Sequence, residues 1–377
     1  MIYSVFGAGR QGIAAAYDLL KSGSEVHLAD CSEEALADAN KKLKLEKNQI
    51  HIIDFVNESD VKSLLEISDG AVFAADYSLN LNLVKWSIES DCHCVDFGGN
   101  HIVVKEQHDL NELAKERGVT VVPDTGLTPG LAGILAAGGI NELDEAIDAK
   151  IRVGGLPQSP EPPFNYALVF SVRGLTNEYL EPSVILEGGE KMEVPSLTGL
   201  EELEFDGRRF EAFYTSGGTS TLPDTLQGKV KNLDCKTIRY PGHADFISFV
   251  FNLGFGKEKR VQTGDSDFVP RSVFEKMLSD TLPHNPPDEI VMRVTVQGIK
   301  DGKEVSVIYE MQDFYDEEIG FTSMQKTTAW PGTIILQMVT NGEIKTKGVI
   351  FQELEVDSCR LIEELGKRQI EITKKII

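Results

Sequence analysis

The chain has 377 residues, with 37 Lys and Arg against 60 Asp and Glu and a net charge of −23. That length suits two domains, and the negative balance argues against nucleic acid or an anionic membrane as partner, since both require clustered Lys and Arg. Hydrophobic residues make up 41% of the chain, and no run reaches the roughly 18 apolar residues of a membrane span.

Met1 to Phe6 reads as a strand rather than a signal segment. Gln11 to Leu20 then carries Ile13, Ala16, Tyr17 and Leu20 at helical spacing. Glu25–Ala29 is the next strand, and Ser32 is a cap for a helix opened by Glu33 and Glu34. Further strands are expected at Ile50–Phe55, Gly70–Ala74, Cys92–Phe97 and Thr120–Val122, with helices near 58–67, 79–90 and 107–117 between them. Strands alternating with helices mean βαβ units and a parallel sheet.

From about residue 145 the texture changes. Asp148–Val153, Ser183–Leu186, Lys191–Val194, Arg209–Tyr214, Glu289–Gln297 and Val305–Met311 read as strands, with hairpin signals at Gly188-Gly189 and Asp301-Gly302. They do not alternate with helices, so a mixed or antiparallel sheet is expected. Leu156 to Pro163 reads as a loop, and Met324 to Val339 as a helix interrupted at Pro331-Gly332. The fold class is therefore α/β. A dinucleotide-binding domain over residues 1–125, completed by about 325–377, flanks a second α/β domain over 126–324.

Gly7-Ala8-Gly9-Arg10-Gln11-Gly12 is a G-x-G-x-x-G that follows a strand and opens a helix, and Asp30 ends the next strand. This is the dinucleotide fingerprint in its proper context. Gly7 permits the tight turn, Gly9 the approach of a pyrophosphate, and Gly12 close helix–strand packing. The N–H groups of the loop and the helix dipole favour the anion. Arg10 either lies along the pyrophosphate or is a solvated helix-start residue. The Asp30 carboxylate suits ribose hydroxyls and opposes a 2′-phosphate, so NAD is expected over NADP.

Asp96-Phe97-Gly98-Gly99-Asn100 follows the fifth strand, where ligands of open α/β sheets lie. Asp96, Gly98 and Asn100 are candidates to face a nicotinamide or substrate; the other reading is a strand-ending turn. Asp124-Thr125-Gly126-Leu127-Thr128-Pro129-Gly130 repeats the logic one strand later, with Pro129 expected at the first helical position and Thr128 as cap. Asp124 is either a turn former or a group facing hydride transfer. Arg239-Tyr240-Pro241-Gly242-His243 offers a carboxylate ligand, a phenol and a titratable imidazole; the alternative is a structural turn with a capping His. No metal site is expected: Cys92 and Cys94 share one strand face and His93 the other, with no second pair at zinc spacing. Cysteine is odd in number and scattered (Cys31, Cys92, Cys94, Cys235, Cys359), a pattern of reduced thiols in a cytoplasmic protein.

The ordered set GAGRQG, DFGGN, DTGLTPG, RVGGLP, YTSGGTSTLP, IRYPGH and KTTAWP resembles the saccharopine dehydrogenase/lysine 6-dehydrogenase family through nearly the whole chain. The resemblance implies a Rossmann domain, an α/β substrate domain that also forms a homodimer, and NAD(P)-linked chemistry at a carbon–nitrogen bond. It implies site roles for Tyr77, Asp124, Arg239, Tyr240 and His243. Arg239 would bind a substrate carboxylate, and Asp124 or His243 would manage protons. Arg173 is a second carboxylate ligand or a surface arginine. Residues 214–221 lack the arginine that saccharopine reductases carry there. The leading expectation is oxidative deamination of L-lysine at the ε-carbon. The alternatives are reductive condensation, as in saccharopine or carboxypolyamine synthesis, and a nucleotide-binding sensor without catalysis.

Overall fold

The computed structural model describes residues 1–377 except 163, 170, 265 and 285. In chain order the first strands are β1 (Ile2–Phe6), β2 (Glu25–Asp30), β3 (Ile50–Ile52), β4 (Gly70–Phe73), β5 (His93–Asp96) and β6 (Thr120–Val122). Then come β7 (Glu145–Pro157), β8 (Ser183–Glu187), β9 (Glu190–Val194), β10 (Glu201–Phe205), β11 (Arg208–Tyr214) and β12 (Val230–Arg239). The last are β13 (Val261–Thr263), β14 (Ser266–Phe268), β15 (Asp288–Lys300), β16 (Lys303–Phe314), β17 (Gly348–Val349) and β18 (Ile372–Ile376).

The first sheet is wholly parallel, in the order β17-β6-β5-β4-β1-β2-β3. Its strands read as continuous apolar runs because helices cover parallel sheets. Local chemistry starts those helices as expected: Ser32 Oγ accepts from the Ala35 N–H at 3.1 Å, with Glu33 and Glu34 in the first turn. The helix expected near 107–117 is two, His101–His108 and Asn111–Arg117. Pro129 does not start the next helix. The Thr128-Pro129 peptide is cis, and the helix begins at Leu131.

The second sheet is mixed, in the order β10-β11-β12-β7-β15-β16-β18, with β8 and β9 appended through β12. Among its strands in the described residues, only β12 and β7 pair in parallel. Both expected hairpins form, Glu187 pairing with Glu190 and Lys300 with Lys303. Their turn residues Gly188, Gly189, Asp301 and Gly302 all have positive φ. The expected loop from Leu156 begins later, since β7 runs to Pro157; Pro163 lies outside the described residues. The strand β12 was not anticipated. Lys231, Asp234 and Lys236 break up its apolar pattern, and their ionic partners Glu145, Arg152 and Glu201 lie on other strands.

The contacts divide the chain into two units. The first comprises Met1–Asn141, Ser220–Thr225 and Gln325–Glu371, and the second Glu142–Thr219, Leu226–Met324 and Ile372–Ile377. The expected boundaries thus shift in three places. The helix Leu131–Asn141 is apolar on all sides and stays with the first unit. The short Ser220–Thr225 segment joins it. The final residues leave it, because β18 pairs antiparallel with β16.

The return of residues 325–371 is anchored on the first helix, Arg10–Lys21. The helix Ser323–Thr340 runs unbroken through Pro331. Trp330 Nε1 donates to the Ala14 carbonyl at 3.1 Å. Thr333 Oγ1 donates to Asp18 Oδ2 at 2.5 Å and Arg368 Nε to Asp18 Oδ1 at 2.6 Å. Gly332 is needed there: an added Cβ would lie 2.6 Å from Thr125 Oγ1. Asp18 is 5% exposed, so removing its cation strands a buried charge. We expect Arg368→Ala to lose roughly 3 kcal/mol in urea unfolding; a loss under about 0.5 kcal/mol would show that this anchor contributes little.

Candidate active site

The glycine loop joins β1 to the helix Arg10–Lys21. Gly7 has a φ of +114°, and a Cβ on it would meet the Ala74 carbonyl oxygen at 2.6 Å. A Cβ on Gly12 would sit 1.7 Å from the Gly7 oxygen. At Gly9 nothing lies within 4 Å, so its Cα borders open space. The helix it precedes has no side-chain cap and no acidic residue in its first turn. Gln11 Oε1 is buried without a hydrogen-bond partner among the described residues. Uncapped N–H groups and a glycine facing open space fit a dinucleotide pyrophosphate. Arg10 is half-buried, and burial lowers its pKa. Asp30 holds the loop from β2: Oδ2 accepts from the Ala8 N–H at 2.7 Å and Oδ1 from the Ser32 N–H at 2.8 Å.

The ends of β5 and β6 are tied by Asp96, which is fully buried. Its Oδ1 accepts from the N–H groups of Gly98 at 2.8 Å and Asp124 at 3.2 Å, and its Oδ2 from Gln107 Nε2 at 2.7 Å. Burial raises its pKa against these hydrogen bonds. This carboxylate is a brace inside the protein, not the expected nucleotide ligand. Asn100 is corrected likewise: its Oδ1 caps the helix His101–His108 by accepting from the Ile102 and Val103 N–H groups at 2.9 and 3.3 Å. Gly99 packs on Tyr77, whose Cδ1 would lie 2.9 Å from an added Cβ.

Asp124 is the buried carboxyl of this unit with the strongest upward shift in proton affinity. It is 1% exposed and has a φ of +57°. Its Oδ2 accepts from the Ser220 hydroxyl. Its Oδ1 has no hydrogen-bond partner among the described residues, and it would meet a Cβ on Gly98 at 2.0 Å. Burial, then the charge of Asp96, push its pKa up to about 8; the Ser220 hydrogen bond opposes this and Glu353 adds to it. A carboxyl poised near neutrality with a bare oxygen can exchange protons with a reacting group.

In the second unit Arg239 ends β12 at 2% exposure. Its Nε donates to Tyr179 Oη at 3.2 Å and its Nη1 to the Ile238 carbonyl at 3.0 Å. The Tyr166 ring lies 4.8 Å beneath it, and the Tyr166 hydroxyl has no hydrogen-bond partner among the described residues. Glu178 stands off at 3.7 Å with its side chain 31% exposed, and burial pushes its pKa up to about 7. Arg239 is thus a buried cation whose nearest carboxylate stands off at 3.7 Å.

His243, expected as an acid/base, is 2% exposed. Its Nε2 meets Tyr179 Oη at 2.9 Å, and Phe164, Tyr166 and Phe213 surround its ring. Burial, then the Arg239 charge, push its pKa down to about 3, which keeps it neutral. It is a packed core histidine. Tyr240, just beyond β12, has other partners than Arg239: its hydroxyl donates to the Pro157 carbonyl at 3.0 Å and lies 3.3 Å from Glu289 Oε1. Arg173 is a surface residue, its side chain 53% exposed and paired to Glu258 at 2.6 Å and Glu275 at 3.2 Å. Ser220, Glu353, Tyr166, Tyr179 and Glu178 carried no sequence signal of their own. Ser220 lies within YTSGGTSTLP, and only the fold sets it against Asp124.

Two family models match the chain. The saccharopine dehydrogenase NADP binding domain covers residues 4–122, and the saccharopine dehydrogenase C-terminal domain covers residues 126–370. The chain is similar to the mitochondrial alpha-aminoadipic semialdehyde synthase of Rattus norvegicus, at 22% identity over 81% of this chain and 40% of that protein. It is similar to saccharopine dehydrogenase (NADP(+), L-glutamate-forming) of Pyricularia oryzae, at 26% identity over 48% of this chain and 41% of that protein. The chain spans about two-fifths of the length of these curated relatives. Apo saccharopine dehydrogenase (L-Glu forming) from Saccharomyces cerevisiae shares the fold, with a TM-score of 0.81 at 18% identity over 100% of this chain and 99% of that one.

The two glycines make separable predictions. Gly12→Ala should destabilise the protein and abolish nucleotide binding together. Gly9→Ala should keep the melting temperature within about 2 °C yet weaken NADH affinity, read by fluorescence titration. Unchanged affinity in Gly9→Ala would remove this loop from the site. Asp124 predicts an inverted pH dependence. Its folded pKa lies above its ordinary value of 3.8, so the folded state holds the extra proton, and stability is lost as pH rises from the unfolded pKa through about 8. Asp124→Asn should therefore gain in melting temperature over the parent by roughly 2 °C or more between pH 5 and 8. A constant difference would mean an ordinary ionised Asp124.

Proposed function

The chain belongs to the saccharopine dehydrogenase family of oxidoreductases, and on that premise we propose that it oxidises a C–N bond of an amino acid with NAD, L-lysine at its ε-carbon being the first substrate. The observation that carries this reading is Asp124, a carboxyl that titrates near neutrality, with one bare oxygen, beyond the carboxyl end of a dinucleotide-type sheet. A nicotinamide dinucleotide held by the Gly7–Gly12 loop would supply the hydride acceptor. Asp124 takes the proton that the amine nitrogen gives up as the carbon–nitrogen double bond forms. That proton passes to solvent; Asp124 then takes one from the water that adds to the carbon–nitrogen bond and returns it to the nitrogen, so that ammonia departs and an aldehyde remains. Ionised Asp124 is the active form in this direction, so turnover rises with pH.

Arg239 supports a substrate that carries a carboxylate. A buried guanidinium with its nearest carboxylate at 3.7 Å gains a close charge-assisted pair when such a substrate binds. Asp30 supports NAD. A 2′-phosphate beside that carboxylate at the end of β2 would place two negative charges together, and Cys31 and Ser32 offer no cation. The names of the relatives favour a second reading, oxidation of saccharopine itself or its reverse.

The test is formation of reduced cofactor with NAD or NADP against lysine, ornithine, saccharopine and diamines. Turnover of lysine with NAD is expected, with kcat/KM rising through about pH 8. Asp124→Asn should lower it by roughly 100-fold or more. Arg239→Ala should raise KM for the amino acid about 100-fold and leave that for NAD unchanged. Turnover of saccharopine alone would select the second reading, and nucleotide binding without turnover of any of these would overturn both.

A further inference from the structure

The segment Ser220–Thr225 belongs by its contacts to the first unit, while Thr219 and Leu226 on either side belong to the second. Two anchors hold it. The apolar one is Leu222, 3% exposed, whose Cδ2 would lie 3.1 Å from a Cβ on Gly133. The polar one is Glu353, in the short helix Gln352–Glu355 and also 3% exposed. Glu353 Oε1 accepts hydrogen bonds from Thr221 Oγ1 at 2.7 Å and Thr225 Oγ1 at 2.6 Å. Its Oε2 is buried without a hydrogen-bond partner among the described residues. Ser220, the neighbour of Thr221, has a φ of +38°, a conformation that a residue with a Cβ keeps only when its surroundings impose it. That same residue donates its hydroxyl to Asp124.

We infer that Glu353 is a positioning residue for proton transfer: it pins the Ser220–Thr225 segment so that the Ser220 hydroxyl holds one oxygen of Asp124 and leaves the other bare. The inference rests on the reading of Asp124 as the proton-transfer group. A carboxylate is an unusual anchor for two threonines at such burial, since an amide would serve without charge. Its charge has an effect at Asp124. The charged and polar groups that act on Asp124 are Asp96, Glu353 and the Ser220 hydroxyl. The two acids favour its neutral form, and the hydroxyl favours its ionised form. Glu353 therefore sets both the geometry of the carboxyl and part of its proton affinity, with Ser220 as counterweight.

The two variants Glu353→Gln and Ser220→Ala should move the system in opposite directions. In Glu353→Gln the amide oxygen still accepts from both threonines but the charge is gone. The pH limb of kcat/KM should move to lower pH by roughly half a unit to one unit, with KM for NAD unchanged. In Ser220→Ala the limb should move to higher pH. A purely structural anchor would lower kcat in both variants without moving the limb, which would overturn the inference; so would a shift of both limbs in one direction. Asp124→Asn separates the two levels of the argument. If it leaves the limb of the parent in place, the reading of Asp124 fails. If it removes the limb while Glu353→Gln and Ser220→Ala leave it where it was, only the inference about Glu353 fails. Should Glu353→Gln not fold, the pH dependence of the melting-temperature gap between Ser220→Ala and its Asp124→Asn double variant reads the same titration without turnover: the gap should move to higher pH, and an unmoved gap overturns the inference.

Discussion

Two loops hang on the carboxylate of Asp96. It is fully buried at the end of β5, and it gathers the N–H groups of Gly98 and Asp124 and the amide of Gln107. Its backbone carbonyl accepts from both the N–H and the hydroxyl of Thr125, each at 2.8 Å. These bonds tie together the ends of the two strands, where Asp124 has a positive φ and a buried side chain. A buried charge needs such hydrogen bonds to exist at all. Once in place it repels a second ionised carboxyl nearby, and so the brace also tunes the group it positions. Structure and proton affinity come from one interaction.

The arginines of the second unit make the complementary point. Arg152 is buried between Glu201 and Asp234. Arg208 meets both oxygens of Glu289 at 2.6 Å. Each of these cations has a partner in close contact, as sheet-stabilising cations require. Arg239 differs, with Tyr179, a carbonyl and the ring of Tyr166 for neighbours. Its counter-ion keeps its distance. Leaving a buried guanidinium so lightly compensated costs stability, and a carboxylate ligand, as proposed for the substrate, would offset that cost.

Much of the first unit was legible in the sequence. Apolar runs, helical spacing and Ser32 located its strands and helices because those signals are local. The glycine fingerprint was legible for the same reason: Gly7 and Gly12 answer to atoms within a few residues or one strand away. Asp124 was legible as a candidate, but its chemistry was not. Burial, the Asp96 charge and the Ser220 hydroxyl come from separate stretches of chain. For Asp96 and Asn100 the position after a strand suits either a ligand or a strand-ending turn, and hydrogen bonds to their own loops decide for the turn. His243 followed the usual expectation for histidine at neutral pH, and three aromatic rings overturned it.

The sequence alone determined the class of fold, the dinucleotide loop and the family, since each is written in contiguous motifs and their order. Tertiary structure decided which titratable groups have shifted proton affinities. A pKa depends on solvent exclusion and on charges brought near by folding, and no spacing rule carries that information. The same holds for the excursion of Ser220–Thr225 and for its anchor on Glu353, residues far apart in the chain. Their meeting depends on packing around Leu222 and Gly133, a contact that local propensity does not encode.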